Sequence, residues 1–202
     1  MKRKLGILLI LAGSALVLVA TGLYIAQVRN EEKAGNAADE ALVAVKEQVG
    51  KERSKDEIGS ADQEELPVVY IDGWAYIGYL SIPSLGLELP VMAEWSYEGL
   101  DIAPGRFSGS ISTNDLVIAG HNYRRHFSPI KTASIGSLVV FTNMDGNAYY
   151  YEVSQIETLQ PTQVEEMEGL TGENDWDLTL FTCTTGGTAR CAVRCVRVDS
   201  EN

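Results

Sequence analysis

The stretch Asp177-Leu-Thr-Leu-Phe-Thr-Cys-Thr-Thr-Gly-Gly-Thr-Ala-Arg-Cys-Ala-Val-Arg-Cys-Val-Arg-Val198 decides how the chain is read. Residues 178–182 are short, apolar and β-prone, which predicts a strand. Cys183 falls where that strand ends. Residues 184–188, with Gly186-Gly187, are turn chemistry. Residues 189–198 predict a second strand, one that carries arginines. A thiol at a strand end, a tight loop and an arginine opening the next strand compose an electropositive site. Such a site favours thiolate, the nucleophilic form. A lone cysteine at a hairpin is more often a buried structural residue, so the rest of the chain must decide.

Working outward, the chain holds only two histidines. Leu116-Val-Ile-Ala-Gly120 predicts an apolar strand ending in glycine, and His121 follows it, at a strand end like Cys183. His126 lies in Tyr123-Arg-Arg-His-Phe127, a polar turn, and reads as a surface residue. A strand-end His and a strand-end Cys in a chain this poor in both form a joint signal for nucleophilic catalysis.

The remaining segments between residues 68 and 198 are short, β-branched or aromatic, and separated by turn residues. Strands are predicted at 76–82, 87–92, 115–119, 137–143 and 148–159. Asp145-Gly146 turns a hairpin between the last two, and residues 106–112 read as a Gly/Ser-rich loop. Regular short strands with few helical patterns predict an all-β barrel or sandwich. Residues 161–177 carry six acids and no Lys or Arg. Thr162-Gln-Val-Glu165 fits a capping box, so a short helix is expected there. This segment reads as a solvated loop. Its functional reading is an acidic wall attracting a basic segment or a cation.

The chain has 202 residues, enough for one domain with accessory segments. A formal net charge of −12 argues against nucleic acid as a partner. The three cysteines cannot all pair within the chain. Cys191 and Cys195 would sit roughly 13 Å apart along one strand, against the about 5.5 Å of a disulfide. Spacing alone does not exclude Cys183 pairing with either, but the reading is three free thiols. No zinc-ligand spacing occurs and no cofactor is called for.

At the N-terminus, Lys2, Arg3 and Lys4 precede an uncharged run from 5 to 28. That run suits a membrane span of about 20 residues better than a cleaved signal, whose apolar region is about 7–15 residues. At the best late cleavage point, after Ala26, Tyr24 stands where a small residue is needed. The expected organisation is therefore 1–4 cytoplasmic, 5–28 transmembrane, 29–67 a charged stalk or linker, and 68–202 the catalytic domain outside the membrane. Within the stalk, residues 37–58 favour helix, with Leu42, Val45 and Val49 on one narrow stripe.

Thr179-Leu-Phe-Thr-Cys183 followed by Arg190, together with Ile118-Ala-Gly-His121, resembles the sortases, membrane-anchored cysteine transpeptidases of mainly Gram-positive bacteria. Tyr76-Ile-Gly-Tyr-Leu-Ser-Ile-Pro83 followed by Leu87-Glu-Leu-Pro-Val91 is similar to the opening strands of a sortase barrel. The resemblance spans about 76–198. It implies a closed β-barrel with short helices in its loops. It also implies a catalytic set in which Cys183 forms a thioacyl with a C-terminal sorting signal. His121 then moves the amine protons, and an arginine steadies substrate or oxyanion. The amine acceptor implied is a cell-wall precursor or a pilin. Asp72-Gly73-Trp74 lacks the proline of the Asp-Pro-aromatic lid found in pilin-polymerising sortases and lies too close to the first strand to be one. Subclass stays open.

Arg190 and Arg194 project from the same strand face. A Gly-Gly loop brings Arg190 back beside the thiol, so Arg190 is the expected catalytic arginine and Arg194 the alternative. Thr182, Ala119 and Asn122, next to the catalytic positions, are expected to line a substrate-binding surface. Two other functions compete: a membrane-tethered β-barrel binding module with an inert Cys183, and a hydrolytic cysteine peptidase.

Overall fold

Nine strands make one sheet: β1 (Val69–Ile71), β2 (Trp74–Ile82), β3 (Leu87–Met92), β4 (Gly105–Ser108), β5 (Leu116–Gly120), β6 (Leu138–Asn143), β7 (Ala148–Leu159), β8 (Leu178–Cys183) and β9 (Arg190–Val198). The structure, a computed structural model, describes residues 2–51, 66–169 and 175–199. The order is β1-β2-β3-β4-β5-β8-β9-β7-β6, and β6 returns to pair with β2. That closure makes the expected all-β barrel. β1 lies outside the ring, on the part of β2 that precedes the β6 pairing. Alternation along the strands sends Ile77, Leu80, Leu89, Leu116, Ile118, Phe141, Leu180 and Val193 into one interior core.

Closure depends on Gly78. Its φ is +146°, and a Cβ there would sit 2.0 Å from the Thr142 carbonyl oxygen on β6. Glycine lets the two backbones meet where β2 bulges between Tyr76 and Gly78.

Two strands escaped the pattern reading. Residues 106–108 fall in the stretch expected as loop, yet β4 pairs with β5. Arg106 helps hold it there, its Nε donating to Ala93 O at 2.8 Å. β1 was hidden because Asp72-Gly73 is a hairpin turn, both residues in the left-handed region at φ 50° and 83°. The expected short helix is α3 (Val164–Glu168), after α2 (Tyr97–Leu100). Its N-cap is Gln163, with no side-chain cap bond, so the capping box at Thr162 does not form.

The chain makes two compact units, Met1–Lys33 and Ala34–Asn202. One helix, α1 (Lys2–Gln48), runs through the boundary. In the first unit it is long and apolar enough to cross a membrane, and its apolar window has no buried surface. In the second unit, where the charged stalk or linker is expected, one side of it is buried. Ala34, Ala38 and Val45 are buried, with Ala41 and Val49 half-buried on the same stripe. Val45 packs with Tyr76, Met92, Ala103 and Met144, and Lys46 pairs with Glu88 at 2.6 Å. A stripe made of alanines gives little hydrophobic contrast in sequence, but it lets a helix lie close to a barrel. The part of the expected helix at 52–58 lies outside the described residues.

Candidate active site

β5 and β8 run parallel and adjacent, in the register Leu116↔Leu178 through Gly120↔Thr182. The next residue on each is His121 and Cys183. β8 and β9 are antiparallel and adjacent, with Cys183 paired to Arg190. Neighbouring strands lie about 4.8 Å apart, so the three residues end three adjacent strands within about 10 Å of one another.

Cys183 and Arg190 also share a face. Leu178, Leu180 and Val193 belong to the interior core. Val117, Ala119, Phe181 and Ala192 form a separate cluster with Leu159, Met167 and Phe107 on the outer side. Alternation carries Cys183 and Arg190 onto that outer side, at the end of this apolar floor. Cys183, His121 and Arg190 are each half-buried.

The strand ends are pinned. Thr182 Oγ1 donates to Gly120 O at 2.8 Å, tying β8 to β5 one residue before Cys183 and His121. Phe127 N donates to His121 O at 3.1 Å, and a Cβ on Gly120 would lie 2.5 Å from the Phe127 ring. Of the three residues expected to line the site, Thr182 and Ala119 are buried. Thr182 spends its hydroxyl on the strand tie, and Ala119 belongs to the apolar floor. They support the site from beneath instead of offering it surface. Asn122 is half-buried, and its Oδ1 accepts from Lys131 Nζ.

His121 Nε2 lies 3.6 Å from Asp101 Oδ1. Burial pushes the imidazole below the usual histidine range, and the Asp101 carboxylate opposes that. Asp101 Oδ1 also accepts from Tyr123 Oη at 3.1 Å, and the Tyr123 and His121 rings lie 4.7 Å apart. Neither Asp101 nor Tyr123 was expected in the site. Asp101 is twenty residues from His121 in sequence and meets it only through the fold.

The other cysteines are free and face inward. Cys191 and Cys195 are buried in the core. Burial pushes the Cys191 thiol up, and that of Cys195 up to about 12. Cys183 alone is a half-exposed free thiol.

Arg194 is elsewhere. Its side chain is 1% exposed. Nε donates to Glu157 Oε1 at 2.7 Å, Nη1 to Met167 O at 2.9 Å and Thr179 Oγ1 at 2.8 Å, and Nη2 to Glu166 O at 2.6 Å. The guanidinium also covers the Trp176 ring. It fastens the end of α3 to the barrel. Among the described residues the Arg190 side chain bonds locally, from Nη1 to the Gly187 and Ala189 carbonyls, each at 3.2 Å.

His126 corrects the sequence reading. Expected at the surface, it is wholly buried, with Nε2 3.2 Å from Ala34 O on α1. Beside it, Arg125 bonds to Asn36 and Asp39 of the same helix. Within the turn His126 and Phe127 are buried while Arg124 stays exposed, and α1 lies against His126. Among the described residues no cluster of acids, His and Cys could hold a metal ion. Of the acidic loop, Glu173 lies outside the described residues, and Asp177 Oδ2 accepts from Arg197 N at 2.7 Å.

A family model for the sortase domain matches residues 80–198. Sortase A of Staphylococcus aureus is 27% identical over 192 residues, covering 91% of this chain and 89% of that protein. The crystal structure of sortase C1 from Streptococcus suis is 30% identical with a TM-score of 0.53, covering 62% of this chain and 74% of that one. A sortase D5 transpeptidase from Clostridium perfringens has a TM-score of 0.61, covering 81% of this chain and 99% of that one. At 20% identity it shows likeness of fold alone.

Proposed function

This chain belongs to the sortase family and is a cysteine transpeptidase, and on that premise we propose that Cys183, His121 and Arg190 perform its chemistry on C-terminal sorting signals. The observation that supports this reading most is the register: three adjacent strand ends carry a free thiol, an imidazole and a guanidinium.

The Cys183 thiolate adds to a peptide carbonyl of the sorting signal. Arg190 stabilises the oxygen as it becomes negative. The C–N bond breaks as the leaving amine takes a proton from His121, which leaves a thioacyl on Cys183. An incoming amine then attacks the thioacyl carbonyl and gives its proton to His121. Collapse expels the thiolate and forms the new amide. The acceptor is an amine of a cell-wall precursor or of a pilin subunit. Residues 5–28 of α1 anchor the enzyme in the membrane, with Lys2, Arg3 and Lys4 on the cytoplasmic side and the barrel outside.

The test is trapping of the thioacyl. Cys183→Ala abolishes acylation by sorting-signal peptides, while Cys191→Ala and Cys195→Ala retain it. Acylation surviving in Cys183→Ala sinks the assignment. Products formed with and without an amine acceptor separate transpeptidation from hydrolysis, and no acylation at all favours a binding module.

A further inference from the structure

We propose that Asp101 is a positioning residue for His121: it binds Nε2, so Nδ1 is the nitrogen that exchanges protons with the leaving and incoming amines, and Tyr123 holds Asp101 in place. This rests on the assignment of His121 above.

The geometry is built from a rigid piece of backbone. Asp101 is the C-cap of α2, its own N–H bonded to Gly99 O. Ser96 caps the start of α2 by accepting from Gly99 N at 2.9 Å. Ile102 N and Ala103 N also bond to Gly99 O, and Leu100 and Ala103 are buried. The carboxylate therefore projects from a fixed turn. Its Oδ1 meets His121 Nε2 at 3.6 Å and accepts from Tyr123 Oη at 3.1 Å. The Tyr123 ring lies against the imidazole, tilted by 37°. Among the described residues, Asp101 is the acid within ion-pair reach of His121.

The consequence follows from imidazole chemistry. A neutral imidazole carries one N–H, and the nitrogen facing a carboxylate holds it. His121 is thus the Nε2–H tautomer, with the Nδ1 lone pair ready to take a proton from the incoming amine. Taking it gives the imidazolium, which Asp101 stabilises. In the opposite half-reaction Nδ1–H gives a proton to the leaving amine. Burial works against the charged form and Asp101 works for it. The other charged or titratable groups around His121 are Tyr123 and His126 on its own loop, Cys183 on β8, Arg190 on β9, and Lys131, which binds Asn122.

Nitrogen-15 NMR of the imidazole reads this directly. The neutral wild-type ring should show Nε2–H. Asp101→Asn should mix the tautomers and lower the pH at which His121 titrates. Turnover should fall about fivefold with KM unchanged, the scale of an exposed charge pair. Asp101→Glu should restore part of each effect, and Tyr123→Phe should give a smaller change of the same sign. Raising ionic strength on the wild type should also lower the titration point, without any substitution. An Nδ1–H tautomer in the wild type, or a His121 titration unmoved by both Asp101→Asn and salt, overturns the proposal. Failure of the wild type to form a thioacyl would sink the proposed function instead, and the tautomer would still report the pair.

Discussion

Replacing Arg194 and Arg190 in turn by methionine should separate a structural cation from a chemical one. Arg194→Met deletes four hydrogen bonds from a guanidinium that is 1% exposed. It leaves Glu157, Thr179 Oγ1 and the carbonyls of Glu166 and Met167 without that donor. Breaking a buried ion pair from one side costs about 3–5 kcal/mol. The Glu157 side chain keeps 27% exposure, so part of its charge stays solvated and the lower end, about 3 kcal/mol, applies. For a unit of this size that lowers the melting temperature by about 6–12 °C. Arg190→Met removes two bonds to carbonyls of its own loop and should change stability by about 0.5 kcal/mol or less. Its cost falls on the reaction, where loss of one oxyanion donor lowers kcat by about 10²–10³. The assay is thermal unfolding followed by near-ultraviolet circular dichroism in detergent micelles, beside transpeptidation rates measured well below either melting point. A full-length Arg194→Met that melts within about a degree of wild type but cannot turn over would refute this reasoning, as would an Arg190→Met with wild-type kcat.

The docking of α1 is pH-sensitive through His126. Burial holds its folded pKa below the unfolded value of 6.5. The unfolded state therefore binds the proton first, and the stability present above 6.5 is lost as pH falls. Between pH 7.5 and 5.5 the wild type should lose up to about 1.4 kcal/mol more than His126→Gln, read from amide exchange over residues 34–48; equal losses would remove His126 as the cause. Gly78→Ala forces a Cβ to 2.0 Å from Thr142 O at a φ of +146° and should cost about 3 kcal/mol or more, seen as a fall in denaturant midpoint. A maleimide at neutral pH should label Cys183 alone in the folded protein, because burial keeps Cys191 and Cys195 protonated and covered. Mass spectrometry of labelled peptides checks this, and native labelling of Cys195 would contradict it.

Sequence alone determined what depends on neighbours along the chain. Short β-branched or aromatic runs between turn residues marked most of the strands, the apolar run at 5–28 marked a candidate span, and both Cys183 and His121 could be seen ending strands. These features are local, so their composition and turn chemistry are written in order. Tertiary structure decided what depends on partners distant in sequence. Arg190 and Arg194 share a face, and parity could not divide them; pairing to Cys183 and burial under α3 do. His126 reads as polar surface until the alanine stripe of α1 covers it. Asp101 becomes the partner of His121 only when α2 and β5 come together. An alternating pattern reports which face a side chain takes, but the choice among residues on one face belongs to the long-range contacts that bury some of them and leave others accessible.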